Sequence, residues 1–135
     1  MASPLTALSP LDGRYAGGAD PLRPYFSEHA LIRYRVRVEL AWLRALAAES
    51  AIPELKSFSA EVLKGFSDLE RKFSENDSQQ IKNLEPETNH DVKAIEYWLR
   101  AKLGKSREVQ GALEFIHFAA TSEDINNLSY SLMLE

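Results

Sequence analysis

From Ser27 to Glu49 apolar residues recur at helical spacing: Leu31, Tyr34, Val38, Trp42 and Ala45 fall on one stripe of HALIRYRVRVELAWLRALAAE, with Ser27 as the candidate cap. The sub-stretch YRVRVEL alternates like a strand, but more than twenty residues without Gly or Pro favour a helix. A second helix is predicted over 59–73, with Val62, Phe66, Leu69 and Phe73 on one face. Ser74 and Asp77 then form a capping pair for a short polar helix, which Pro86 interrupts. Thr88 and Asp91 repeat the capping-box spacing before the stripe Val92, Ile95 and Leu99, and Gly104 ends that helix. A fifth helix is predicted over 108–119 with Val109, Leu113 and Ile116 inward. A sixth starts at Thr121 or Ser122 with Ile125, Leu128 and Leu132 as its stripe. No segment reads as a strand, so the fold class is all-α. The final SYSLMLE stops in mid-pattern without a Gly, Asn or Pro, which reads as a chain cut from something longer.

Before Ser27 the pattern is different. SPLDGRYAGGADPLRP reads as consecutive turns, so residues 1–25 are expected to form an ordered or semi-ordered arm. A length of 135 residues with 44% hydrophobic content suffices for a core. The net charge of -4 argues against a phosphate-backbone binder, and RYRVR at 33–37 reads as a solvated helix face rather than a nucleic-acid patch. There is no cysteine, hence no thiol nucleophile or thiolate metal site. With no signal-like start and no run of membrane-spanning length, a soluble, cytoplasmic protein is expected.

Chemistry could sit at two helix starts, TNHDVKAIEYW at 88–98 and TSEDINN at 121–127. Unpaired amides and the helix dipole make such a start able to receive a carboxylate or phosphate. Capping plus solvation is the simpler account of the spacing. His90 lies in a first turn, where the dipole disfavours the imidazolium; it could exchange a proton beside an anion or serve only as a cap. His117, between Ile116 and Phe118, reads as a hydrogen-bonded core histidine, and His29 as exposed. The three histidines have no metal-site spacing, and no phosphate loop or dinucleotide fingerprint occurs. Arg14 and Tyr15, after the Asp12-Gly13 turn, are loop residues that could also reach over a bound anion.

SPLDGRY at 9–15, TNHDVKAIEYWL at 88–99 and EFIHFAATSEDINNLSYSLML at 114–134 resemble, in order and spacing, the N-terminal part of the adenylosuccinate lyase family, in its bacterial-type subgroup of the fumarase/aspartase superfamily. The resemblance spans essentially the whole chain. It implies a helical N-terminal domain over 26–112 and the beginning of a central helical bundle over 113–135. It also implies elimination of fumarate, without a cofactor, from adenylosuccinate to give AMP and from the succinyl-carboxamide ribotide of purine synthesis, and a homotetramer whose sites draw on three subunits. Carried over by position, Arg14 and Tyr15, then Asn89, His90 and Asp91, then Thr121 and Ser122, are expected to contact the substrate. The family's serine base and histidine acid lie in blocks that have no counterpart in these 135 residues, so the chain alone is expected to be inactive. Departures are Ala120 for Cys, Tyr130 for His and EPET at 85–88. A helical interaction module without catalysis, or another lyase of the superfamily, is the alternative.

Overall fold

Each long helix begins at a residue whose side chain accepts an N–H from its own first turn, the bond that satisfies a donor the helix cannot. The computed structural model describes residues 4–135, so the first three residues of the expected arm lie outside the described residues. Helix α1 (Glu28–Ala48) is capped by Ser27, whose Oγ accepts from Ala30 N at 3.2 Å. Helix α2 (Ala60–Arg71) is capped by Ser59 at 3.3 Å from Val62 N. Helix α3 (Glu75–Thr88) has the full Ser74–Asp77 capping box. Helix α4 (Asp91–Leu103) starts at His90, and helix α5 (Ser122–Leu134) at Thr121. Among the described residues there is no strand, in keeping with an all-α fold.

Helix α1 is the spine, about 31 Å long at 1.5 Å per residue, and it is buried on two sides. Ile32, Val36, Leu40, Leu43 and Ala47 face the main core with Phe66, Ile81, Ile95, Trp98 and Leu99. Val38 faces the other way, into a small cluster with Val92 and Ile125. The stripe expected from spacing, Leu31 to Ala45, is therefore not the main core face; its middle turns toward α5. Fully burying one such Leu or Ile contributes roughly 1.5–3 kcal/mol, so the second face matters for where α5 docks.

Several expectations are corrected. The arm contains one-turn helical segments at Pro4–Thr6, Ala16–Ala19, Asp20–Leu22 and Arg23–Phe26 rather than turns alone. Pro86 does not interrupt α3 but lies within it; its missing N–H forfeits one bond near the helix end, where little helix remains to break. Thr88 and Asp91 form no capping box, because α3 runs through Thr88 and the ring of His90 does the capping. His29 is half-buried, with Nδ1 2.7 Å from Ser78 Oγ and its ring stacked on Phe73.

The helix expected over 108–119 breaks into one α turn, Arg107–Gln110, and a 3-10 turn, Leu113–Phe115. His117 (φ 62°) and Ala119 (φ 57°) then take left-handed conformations no α-helix contains. Val109 and Ile116 are still buried as expected. Tertiary bonds hold the break open: Glu108 accepts from Ser59 N and Oγ at 2.6 and 2.8 Å, and the Trp42 indole donates to the Phe118 carbonyl at 2.8 Å. Gly104 ends α4 as expected, at a place where a Cβ would stand 2.8 Å from the Arg100 carbonyl oxygen.

Candidate functional site

The two polar helix starts meet. Helix α3 ends in the left-handed residue Asn89 (φ 47°, ψ 32°), a conformation that asparagine tolerates better than other side-chain-bearing residues. The next residue, His90, is extended and becomes the cap of α4. The Thr88 hydroxyl braces this corner, lying 2.8 Å from His90 O and 3.3 Å from His90 N. His90 Nδ1 accepts from Lys93 N at 3.1 Å, which requires a lone pair there and leaves the ring proton on Nε2. That nitrogen lies 3.2 Å from Ser122 Oγ, the first residue of α5, and can donate to it.

The six polar residues of TSEDINN divide their work. Thr121 and Asp124 form a reciprocal cap: Thr121 Oγ1 accepts from Asp124 N at 3.3 Å, and Asp124 Oδ2 accepts from Thr121 N and Oγ1 at 2.7 and 2.9 Å. Those bonds, the Thr121 N–H first, hold the Asp124 carboxyl below its usual range. Asn127 donates to Glu123 at 3.0 Å along the helix. Ser122 meets His90, and Asn126 accepts from Arg35 at 2.9 Å. The backbone amides of Ser122, Glu123 and Asp91 have no protein partner among the described residues. Two helix N-termini thus bring free donors and partial positive charge to one place, beside a neutral imidazole and a hydroxyl.

Asp91 is where burial and charge oppose each other. Partial burial pushes its carboxyl up, but the guanidinium of Arg35 at 2.8 Å, with the Val92 N–H at 2.8 Å, outweighs this and holds it below the usual range. Arg35 is 6% exposed, so the reading of RYRVR as a solvated face is wrong at its central residue. Sequence reasoning missed it; the one signal available in the sequence is that Arg35 sits between the apolar side chains of Tyr34 and Val36.

Beside Asn89, His90 and Asp91, the side chains of Lys82, Glu85 and Pro86 complete a polar cleft of about 560 Å³. Lys82 was not foreseen either; its ammonium bridges Glu28 and Glu85, each at 2.7 Å. A larger cavity of about 680 Å³ lies between α1 and α5, but it is lined by Val38, Trp42, Ile125, Leu128 and Leu132 and suits an apolar occupant. Arg14 and Tyr15 are not bonded to either helix start. The guanidinium lies 5.4 Å over the tyrosine ring, Tyr15 is half exposed, and no hydrogen bond or ion pair joins either to residues 89–91 or 121–122. Among the described residues no group of three or more His, Asp or Glu could hold a metal, and no helix is long and apolar enough to cross a membrane.

His117, expected in the core, lies beside it. Its Nδ1 is 2.6 Å from Glu39 Oε1, with the histidine side chain 19% exposed and the glutamate fully buried. Burial pushes the Glu39 carboxyl up, more than the His117 bond lowers it, and nearby Glu96 adds to the rise. This pair anchors the segment that delivers Thr121 and Ser122.

An all-helical scaffold presenting two polar helix starts is matched by a family profile described as lyase over residues 13–135, and the chain belongs to that family. Its relatives narrow the class. Adenylosuccinate lyase of Escherichia coli is 50% identical over 133 residues, which is 98% of this chain and 29% of that protein. Adenylosuccinate lyases of Legionella pneumophila and Haemophilus influenzae are 48% and 51% identical over 131 and 132 residues, 97% and 98% of this chain, and 29% of each relative. The chain therefore spans 29% of the length of these relatives.

Proposed function

We propose that this chain contributes the nucleotide-binding part of an adenylosuccinate lyase, which eliminates fumarate from adenylosuccinate to leave AMP, and from succinyl-aminoimidazole-carboxamide ribotide in purine biosynthesis. Arg14, Tyr15, Asn89, His90, Asp91, Thr121 and Ser122 are the substrate contacts in this reading. In the reaction a base removes a carbon-bound proton next to a carboxylate, the C–N bond breaks, and an acid protonates the departing nitrogen. Oriented N–H and O–H donors stabilise the dianion that forms on the carboxylate, and the free amides and hydroxyls of the α4 and α5 starts are suited to that task. The base and acid blocks have no counterpart in these 135 residues, so the chain by itself turns over no substrate. No cofactor is required, and the working form is a cytoplasmic homotetramer.

The observation that carries the reading is the His90–Ser122 contact, which joins two motifs 32 residues apart at two helix N-termini. The test is fumarate release, followed by absorbance, from a completed enzyme in which this chain is joined to the remaining length of its E. coli relative. His90→Ala is expected to fold normally and to lose on the order of 100-fold in kcat/KM. A folded variant with unchanged kinetics removes His90 from the site. The alternative, a helical interaction module, is favoured by Leu128, 57% exposed beside the apolar cavity; it predicts association of the chain on size exclusion and no fumarate release by the completed enzyme.

A further inference from the structure

Arg35 is a buried cation in the middle of α1, and both its partners sit at the polar helix starts. Its Nη1 lies 2.8 Å from Asp91 Oδ2, at the first residue of α4, and its Nε donates to Asn126 Oδ1 at 2.9 Å, in the second turn of α5. Asp91 follows His90 directly. Asn126 lies one turn beyond Ser122, on the same face of α5. The two starts are therefore joined by two rungs: the direct His90–Ser122 contact at 3.2 Å, and a rung that runs Asp91–Arg35–Asn126, in which the guanidinium is buried while the Asp91 side chain is about half exposed.

Next to that second rung, the same three helices pack through Val38, Val92 and Ile125. Three aliphatic side chains attract without direction, and they would tolerate a sliding or rotation of α5 along α1. A guanidinium does not, because its planar fork offers donors at fixed angles and accepts only one arrangement of two oxygens. An ion pair whose cation is buried is weak evidence of stabilisation, since an apolar replacement often stabilises as well; its attested use is to fix register. We propose that Arg35 is the positioning residue that fixes the α4 and α5 starts relative to each other, and so sets the His90–Ser122 geometry on which anion binding depends.

The catalytic half of the test rests on the proposed lyase function, and the spectroscopic half does not. In the 135-residue chain, the ring ¹⁵N shifts of His90 and the amide shifts of Ser122 and Glu123 are compared among wild type, Arg35→Lys and Asn126→Ala. Lys keeps the charge but cannot span both acceptors, whereas Asn126→Ala leaves the Arg35–Asp91 pair intact. Both variants are expected to keep the core methyl spectrum while the His90 ring and Ser122 amide signals move. In the completed enzyme both are expected to raise KM for adenylosuccinate by on the order of 10- to 100-fold, the range for a small misplacement of binding groups, with a smaller change in kcat. Unchanged His90 and Ser122 signals in a folded Arg35→Lys overturn the proposal. If that variant does not fold, unchanged signals in Asn126→Ala overturn it. A wild-type completed enzyme that releases no fumarate defeats the lyase function instead, and the spectra still decide the role of Arg35.

Discussion

Removing the His117 ring should expose how much the Glu39 pair contributes, and by which route. Glu39 is wholly buried; one oxygen has the histidine 2.6 Å away and the other has no partner. A hydrogen bond to a charged group is worth about 1.5–3 kcal/mol, so His117→Ala should cost about 2–3 kcal/mol while keeping a side chain in the left-handed region (φ 62°). His117→Gly loses the same bond but relieves a left-handed penalty of roughly 1 kcal/mol or more, so it should cost less than Ala. The acidity of Glu39 gives a second check. Its carboxyl is raised by burial, so the folded chain holds that proton to higher pH than the unfolded chain does. Between those two values the folded state binds more protons, and stability falls as pH rises. His117→Ala removes an influence that lowers the carboxyl, so this penalty grows and extends upward in pH. Adding Glu39→Gln to His117→Ala should therefore restore about 1–2 kcal/mol near pH 8 and much less near pH 4.5. Urea unfolding of the four chains at both pH values measures this. Equal rescue at both, or a His117→Ala cost below about 0.5 kcal/mol, would refute the argument.

Two further outcomes follow from the caps and the proline. Asp124 is held below its usual range, so its contribution to the α5 cap is present above about pH 4 and is lost as pH falls further; Thr121→Ala, read by amide exchange in α5, should cost about 1 kcal/mol near neutral pH and reduce that acid loss only in part, because the residue 121 N–H still binds the carboxylate. Pro86→Ala should raise stability by about 1 kcal/mol, since it returns a helical N–H near the end of α3; an unchanged or lower melting temperature would show that the proline ring packs usefully there.

Much of this fold is legible because its helix starts are local. A Ser, a Thr or a Ser–Asp pair reveals itself within four residues, and each of the expected starts at Ser27, Ser59, Ser74 and Thr121 is occupied as read. What escaped depends on distant partners. The segment after Gly104 has helical spacing, yet Glu108 is drawn to the cap of α2 and His117 to Glu39, 78 residues earlier, and these bonds bend the chain out of a helix. Arg35 looks solvated because its amide partner lies 91 residues ahead. Of the candidate site, the contact between TNHD and TSEDINN needed the fold, although each half was visible by itself. Arg14 and Tyr15 form a contact with each other and bond to neither.

The bond from the Trp42 indole to the Phe118 carbonyl makes that side chain an optical reporter. The chain has two tryptophans, and Trp98 is sealed in the core at 2% exposure, so its emission should hardly respond to events at the surface. Trp42 is half-buried and bonded to the strand of backbone just ahead of Thr121. Any rearrangement of residues 116–121 that breaks this bond leaves the indole N–H to water and shifts its fluorescence to longer wavelength. With Trp98 replaced by Phe, a single natural chromophore would follow, in real time and without a label, how the backbone leading into α5 responds to an added ligand.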